Sequence, residues 1–195
     1  SFAQAPDTQL NAWSLGPDDD TLPHYGASYL WMRYIQRRLG LDVLKAVLTA
    51  PENGIDAFEK VLKQTPGAPS FDDLYADWVQ TNLLDGVAGS SGRFHRQEAS
   101  IQVAMQTTHR DLPVEEEGTV CQYGTDYIAV TPRSPGLRIE FEGATTTAVV
   151  PNRPAQGRYQ WWSNRGDMSN THLTRAFDLS QVSRATLEYS LWYEL

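Results

Sequence analysis

Histidine, carboxylate and cysteine side chains carry most hydrolytic chemistry, and here they are thinly spread. The four histidines, His24, His95, His109 and His172, stand singly in unlike surroundings. Activating water with zinc needs two imidazoles on adjacent turns of one helix plus a carboxylate base, the spacing His-Glu-x-x-His, and no such run is present. Gly-x-Ser-x-Gly, P-loop and Gly-x-Gly-x-x-Gly signatures are missing too, and the single cysteine, Cys121, has no companion base to make it a nucleophile. Beside Val120 it reads as a buried small hydrophobe that forms no internal disulfide. What remains is a pair of hydrogen-bonding side chains, His24 and Tyr25, which follow Leu22-Pro23 and would be held at a helix start by that rigid approach. The other candidate set is aromatic: Tyr159, Trp161 and Trp162 could stack on carbohydrate or on a protein partner. Adjacent residues of a strand point to opposite faces, so at most one of the two tryptophans is expected outside. Arg165-Gly166-Asp167 reads as turn chemistry, and Glu115-Glu116-Glu117 as a solvated loop with no second acidic cluster to complete a calcium cage.

These residues must be positioned by regular elements, and the first part of the chain is strongly helical in pattern. Residues 1–20, with Pro6, Gly16, Pro17 and Asp18-Asp19-Asp20, carry no period and read as a connector. From His24 to Leu39, Ala27, Leu30, Trp31, Tyr34 and Ile35 recur at helical steps, and Gly40 supplies a stop. Leu41 to Leu48 predicts a second helix before Pro51, and Ile55, Phe58, Val61 and Leu62 a third that ends near Pro66. Ser70 and Asp73 form a capping box opening a fourth helix with Phe71, Leu74, Tyr75, Trp78 and Val79 as its buried stripe.

Around Gly86, Gly89, Ser90, Ser91 and Gly92 the pattern breaks and helical periodicity does not return. Strand-like runs follow at Ile101 to Met105, Tyr127 to Val130, Leu137 to Phe141, Thr145 to Val150 and Ala185 to Tyr193. The expected class is therefore α+β, with a small helical subdomain over 21–86, a β-rich region over 87–150 and the opening strands of an antiparallel, incomplete β-sandwich over 151–195. A net charge of -8 without a Lys/Arg cluster argues against a nucleic-acid partner. No apolar run approaches the roughly 20 residues that cross a bilayer, and the first residues lack the features of a signal peptide.

Several motifs, in order, resemble one family. Pro6-Asp7-Thr8-Gln9-Leu10-Asn11, then His24-Tyr25-Gly26-Ala27-Ser28-Tyr29-Leu30, then Phe71-Asp72-Asp73-Leu74-Tyr75-Ala76-Asp77-Trp78, then the run from Gln156 to Ser180 are similar to the C-terminal part of secreted bacterial zinc metallopeptidases of the immune inhibitor A-like group. That resemblance implies an extracellular protein and a protein or peptide substrate. It implies zinc in the parent enzyme, with its ligands and its general-base glutamate lying before Ser1, and no cofactor held by this chain. Tyr25 or His24 would then donate to the oxyanion formed as a peptide carbonyl is attacked, and the chain alone would be inactive. It further implies a sandwich cut short at Leu191-Trp192-Tyr193-Glu194-Leu195, whose open sheet edge could recruit a second copy. The competing reading is a non-catalytic sandwich that binds carbohydrate or protein through Tyr159, Trp161 and Trp162.

Overall fold

A computed structural model describes residues 1–13, 20–85, 101–133, 136–148, 150–163 and 170–193. The glycine-serine break at 86–92, His95, the Arg165-Gly166-Asp167 tripeptide and the turn residues Gly16, Pro17, Asp18 and Asp19 lie outside them. The chain divides into two compact units, Ser1–Leu137 and Arg138–Leu195.

Among the described residues, four helices build the first unit: α1 (Leu22–Leu39), α2 (Leu41–Thr49), α3 (Gly54–Gln64) and α4 (Phe71–Leu84). In α1 the Asp20 carboxylate accepts the Leu22 N–H at 3.1 Å, and Gly40, at a φ of 94°, ends the helix by donating its N–H to the Gln36 carbonyl at 2.9 Å. The opening of α4 departs from a reciprocal capping box. Ser70 Oγ accepts the Asp73 N–H at 3.1 Å as expected, but its own hydroxyl bonds to the Asp73 carboxylate at 2.7 Å. The Phe71 N–H goes instead to Glu59 of α3 at 3.2 Å. That bond, ahead of the one from Lys63, holds the Glu59 carboxyl below its ordinary pKa.

The helical stripes meet in an aromatic core. Trp31 of α1 packs edge-on against Phe58 of α3 and against Phe71 and Trp78 of α4, with ring centroids 5.3–5.7 Å apart. A short 3-10 helix, Phe2–Gln4, inserts Phe2 into this core, stacked on Trp78 at 5.4 Å. Gly26 makes that entry possible, since a Cβ there would lie 2.9 Å from the Phe2 Cβ. The glycine in the middle of the His24-Tyr25-Gly26-Ala27 run is thus a seat for the N-terminal segment, bought with some helix propensity.

Residues 101–133 run back over α4 and tie down the N-terminal segment. Ala104 N–H donates to the Ala3 carbonyl at 2.7 Å, Thr125 N–H to Pro6 and Leu10 N–H to Tyr123. Tyr127 is buried and donates to the Val79 carbonyl at 2.8 Å, and Tyr75 of α4 donates to Gly124 at 2.8 Å. Tyr123 adopts a φ of 52°, uncommon for a residue with a side chain. Its ring packs edge-on against Phe71 and Tyr75, and its hydroxyl donates to Asp72 at 2.8 Å. Those contacts hold the strained backbone in place.

Partial burial, then the hydrogen bond to Asp72, pushes the Tyr123 phenol from its ordinary 10 up to about 12. A raised pKa means that the neutral phenol is favoured in the fold. Its stabilisation is therefore complete below pH 10 and lost as pH rises toward 12. Thermal melts across that window should show a falling midpoint that is shallower in Tyr123→Phe. Equal slopes in the two proteins would contradict the assignment.

The β-structure corrects the expected α+β class. Among the described residues the protein is mainly helical, and its sheet consists of two short strands, β1 (Thr107–His109) and β2 (Ile128–Val130), which pair in parallel with Thr108 opposite Ala129. No antiparallel sandwich is present among those residues. Leu137 to Phe141 alternates strictly, yet the described residues of that run, of Thr145 to Val150 and of Ala185 to Tyr193 form no strand, and Phe141 is 92% exposed. The physical reason is that alternation encodes two faces and not a partner. A strand exists only where a second backbone lies about 4.8 Å away to take its N–H and C=O groups. Ile101 to Met105 illustrates the same point: its Val103 is buried, yet its backbone bonds to the N-terminal segment instead of a ladder.

Candidate functional site

His24 and Tyr25 sit in the first turn of α1, with Pro23 just ahead of them. The backbone donors of this turn are already used: Leu22 N–H on Asp20, His24 and Tyr25 N–H on the Thr21 carbonyl at 3.1 and 3.3 Å. This helix start therefore offers side chains, and not free amides, to a ligand. His24 Nδ1 lies 3.2 Å from the Gln9 carbonyl oxygen. A carbonyl can only accept, so Nδ1 carries a proton, and of the two neutral tautomers this bond suits the one whose Nε2 accepts.

The third member is Trp13. Its ring stacks on His24 with centroids 5.6 Å apart and meets the edge of Tyr25 at 4.6 Å. The strand of connector that brings it there is fastened by Leu10 N–H to Tyr123, by Gln9 to Asn11 at 3.0 Å and by Asn11 to Gln122 at 3.4 Å. Tyr25 is 60% exposed and Trp13 38%, so phenol and indole both face solvent beside the half-buried imidazole. Sequence reading missed Trp13 and Gln9, since residues 1–20 have no period. The available signal was two large aromatics, Phe2 and Trp13, inside a connector with no period.

Tyr159, Trp161 and Trp162 belong to the second unit, and both tryptophans are exposed, at 84% and 49%, where one was expected inside. With no opposing sheet among the described residues, neither face is covered. Tyr159 and Trp161, two residues apart, are the most open of the three. Cys121 is exposed, not buried; its N–H donates to Asp7 at 2.7 Å, and partial desolvation together with the Asp7 charge pushes its thiol up. His109 lies 2.5 Å from the Glu116 carboxylate, which also accepts from Thr107 at 3.1 Å, so the acidic loop is anchored at one point. His172 is exposed.

The zinc ion implied by the resemblance does not fit these residues. No group of three or more His, Cys, Asp or Glu converges among the described residues. An open cleft of about 300 Å³ between α2 and α3 contains Asp42 and Gln64 but no base beside the carboxylate. No helix of the described residues is long and apolar enough to cross a membrane. No family model matches the chain, and no curated protein or solved structure matches it.

Proposed function

We propose that this chain serves peptide-bond hydrolysis in a secreted zinc-dependent metallopeptidase, as the helical wall that offers a hydrogen-bond donor to the carbonyl under attack. The observation that supports it is the 3.2 Å approach of His24 Nδ1 to the Gln9 carbonyl oxygen. With Nδ1–H spent on Gln9, a neutral His24 accepts at Nε2 and cannot donate to an oxyanion, whereas the exposed Tyr25 hydroxyl can. Tyr25 is the donor in this reading. His24, clamped between Gln9 and Trp13, receives an N–H of the substrate or a water and holds the peptide in register. As charge builds on the carbonyl oxygen the phenol bond shortens and strengthens, stabilising the transition state more than the bound peptide. Zinc would activate the attacking water, and the side chains that hold it are not among those described.

The coding frame that carries these residues should then also encode His-Glu-x-x-His with a downstream glutamate. In the protein it encodes, Tyr25→Phe should lower kcat by about 10²–10³ while KM changes little. A frame lacking the motif, or a Tyr25→Phe enzyme with full kcat, overturns the reading.

A second reading is favoured by the exposure of Tyr159 and Trp161: a non-catalytic module that stacks these rings on carbohydrate or a protein partner. Glycan titration of the chain and of Trp161→Ala separates it from the first, because the peptidase reading expects no glycan affinity to be lost.

A further inference from the structure

The join between the N-terminal segment and residues 101–133 is held by backbone hydrogen bonds, among them Thr125 N–H to the Pro6 carbonyl at 3.2 Å and Leu10 N–H to the Tyr123 carbonyl at 3.1 Å. Carboxylates crowd this join. Asp7 lies against Gly124 and accepts the Cys121 N–H at 2.7 Å. Asp126 follows Thr125, and its Oδ1 is buried with no hydrogen-bond partner among the described residues. A charged oxygen placed there has neither water nor a donor, whereas a protonated carboxyl has no charge to desolvate. Burial first, and then the like charges of Asp7 from the N-terminal segment and Glu116 from the acidic loop, push the Asp126 carboxyl above its ordinary pKa. The other titratable groups around the cluster are the Cys121 thiol and the Tyr75 phenol of α4, both pushed up mainly by burial with Asp7 adding to it, and His109 of β1, whose Nε2 lies 2.5 Å from Glu116. No lysine or arginine among the described residues pairs with Asp7, Glu116 or Asp126.

We propose that this join is a pH-sensitive latch on the N-terminal segment, closed while Asp126 holds a proton and loosened once Asp7, Glu116 and Asp126 are all charged. The sign follows from the neutral Asp126 being the form that the fold favours. Its stabilisation is complete below the ordinary aspartate pKa of 3.8 and is lost as pH rises through the higher value in the fold. What the latch holds is the candidate site. Leu10 adjoins Gln9, whose carbonyl accepts from His24, and the same segment carries Trp13 onto His24 and Tyr25. Loosening the join therefore frees the segment that packs on those two side chains. An effect on hydrolysis rests on the peptidase reading; the latch itself does not.

The test is hydrogen exchange of this chain from about pH 4 to about pH 7, read as protection factors so that the intrinsic pH dependence of amide exchange is divided out. Protection of the Thr125 and Leu10 amides should fall about three- to tenfold across that range. The Phe71 amide should move the opposite way, because it is bonded to Glu59, whose carboxyl is held below its ordinary pKa and loses its contribution as pH falls. That contrast separates a local latch from a change in the stability of the whole unit. Asp126→Asn, uncharged throughout, should keep Thr125 and Leu10 protection level across the range. Asp7→Asn keeps an oxygen for the Cys121 N–H while removing one of the charges, and should shrink the fall. Protection of Thr125 and Leu10 that is flat or rises toward pH 7 in the unaltered chain overturns the inference, as does a fall that persists undiminished in both variants. A latch found in a protein whose reading frame lacks the zinc motif would stand while the peptidase reading falls. The motif present with flat protection would do the reverse.

Discussion

Replacing Trp78 with alanine should lower the unfolding free energy of the helical unit by about 3–5 kcal/mol, the range for deleting a large aromatic from a packed core. Trp78 is 2% exposed and its ring is met by Tyr75 of its own helix and by Phe2 and Trp31, so two other elements lose contact at once. The site has little means of collapsing. Phe2 is anchored by a 3-10 turn, and Trp31 is already wedged between Phe58 and Phe71. A second substitution sharpens the test. The buried Trp78 Nε1 has no hydrogen-bond partner among the described residues, so Trp78→Phe removes an unsatisfied donor together with part of the ring and should lose far less than alanine does. Urea denaturation followed by helical circular dichroism reads both. A loss under about 1 kcal/mol for the alanine variant would mean that the stripe is not the core.

Gly124→Ala should cost about 1–3 kcal/mol, although it adds a single methyl group. A Cβ at this position would lie 2.4 Å from the Asp7 side-chain oxygen and 2.8 Å from the Asp7 backbone oxygen. The carboxylate can swing aside only by giving up the Cys121 N–H that it accepts at 2.7 Å. The backbone oxygen cannot swing at all, so the segments around Asp7 and Gly124 must separate. They are the join between the N-terminal segment and residues 101–133, carried by Thr125 on Pro6 and by Tyr75 on Gly124 and Thr125. Gly118→Ala is the control, because nothing lies within 4 Å of its Cβ position. It should be neutral or slightly stabilising through the unfolded chain. Hydrogen exchange of the Thr125 and Leu10 amides should accelerate in Gly124→Ala and not in Gly118→Ala; equal protection would show that the approach is relieved without opening the join.

Part of the candidate site was legible before any coordinates. His24 and Tyr25 were singled out because Leu22-Pro23 announces a helix start, and α1 does begin there. Their partners were not legible. Gln9 accepts from His24 Nδ1 and Trp13 wedges against both rings, yet neither lies on α1 or shows a period that would predict its neighbours.

The same division runs through the whole molecule. Residues 22–84 could be read as four helices because helix formation is a local matter: the buried stripes repeat every three or four residues, and Gly40 and Ser70 mark ends through bonds made within the adjoining turn. Tertiary structure alone decided that Phe2 enters the core over Gly26, that residues 101–133 clamp the N-terminal segment, and that β1 pairs with β2 in parallel. It also decided that the strand-like runs beyond Leu137 lie open instead of forming a sandwich among the described residues. Those outcomes depend on which distant backbone arrives alongside. A period of two states which side chains share a face, but the hydrogen bonds of a strand are made with a partner that its own residues do not name.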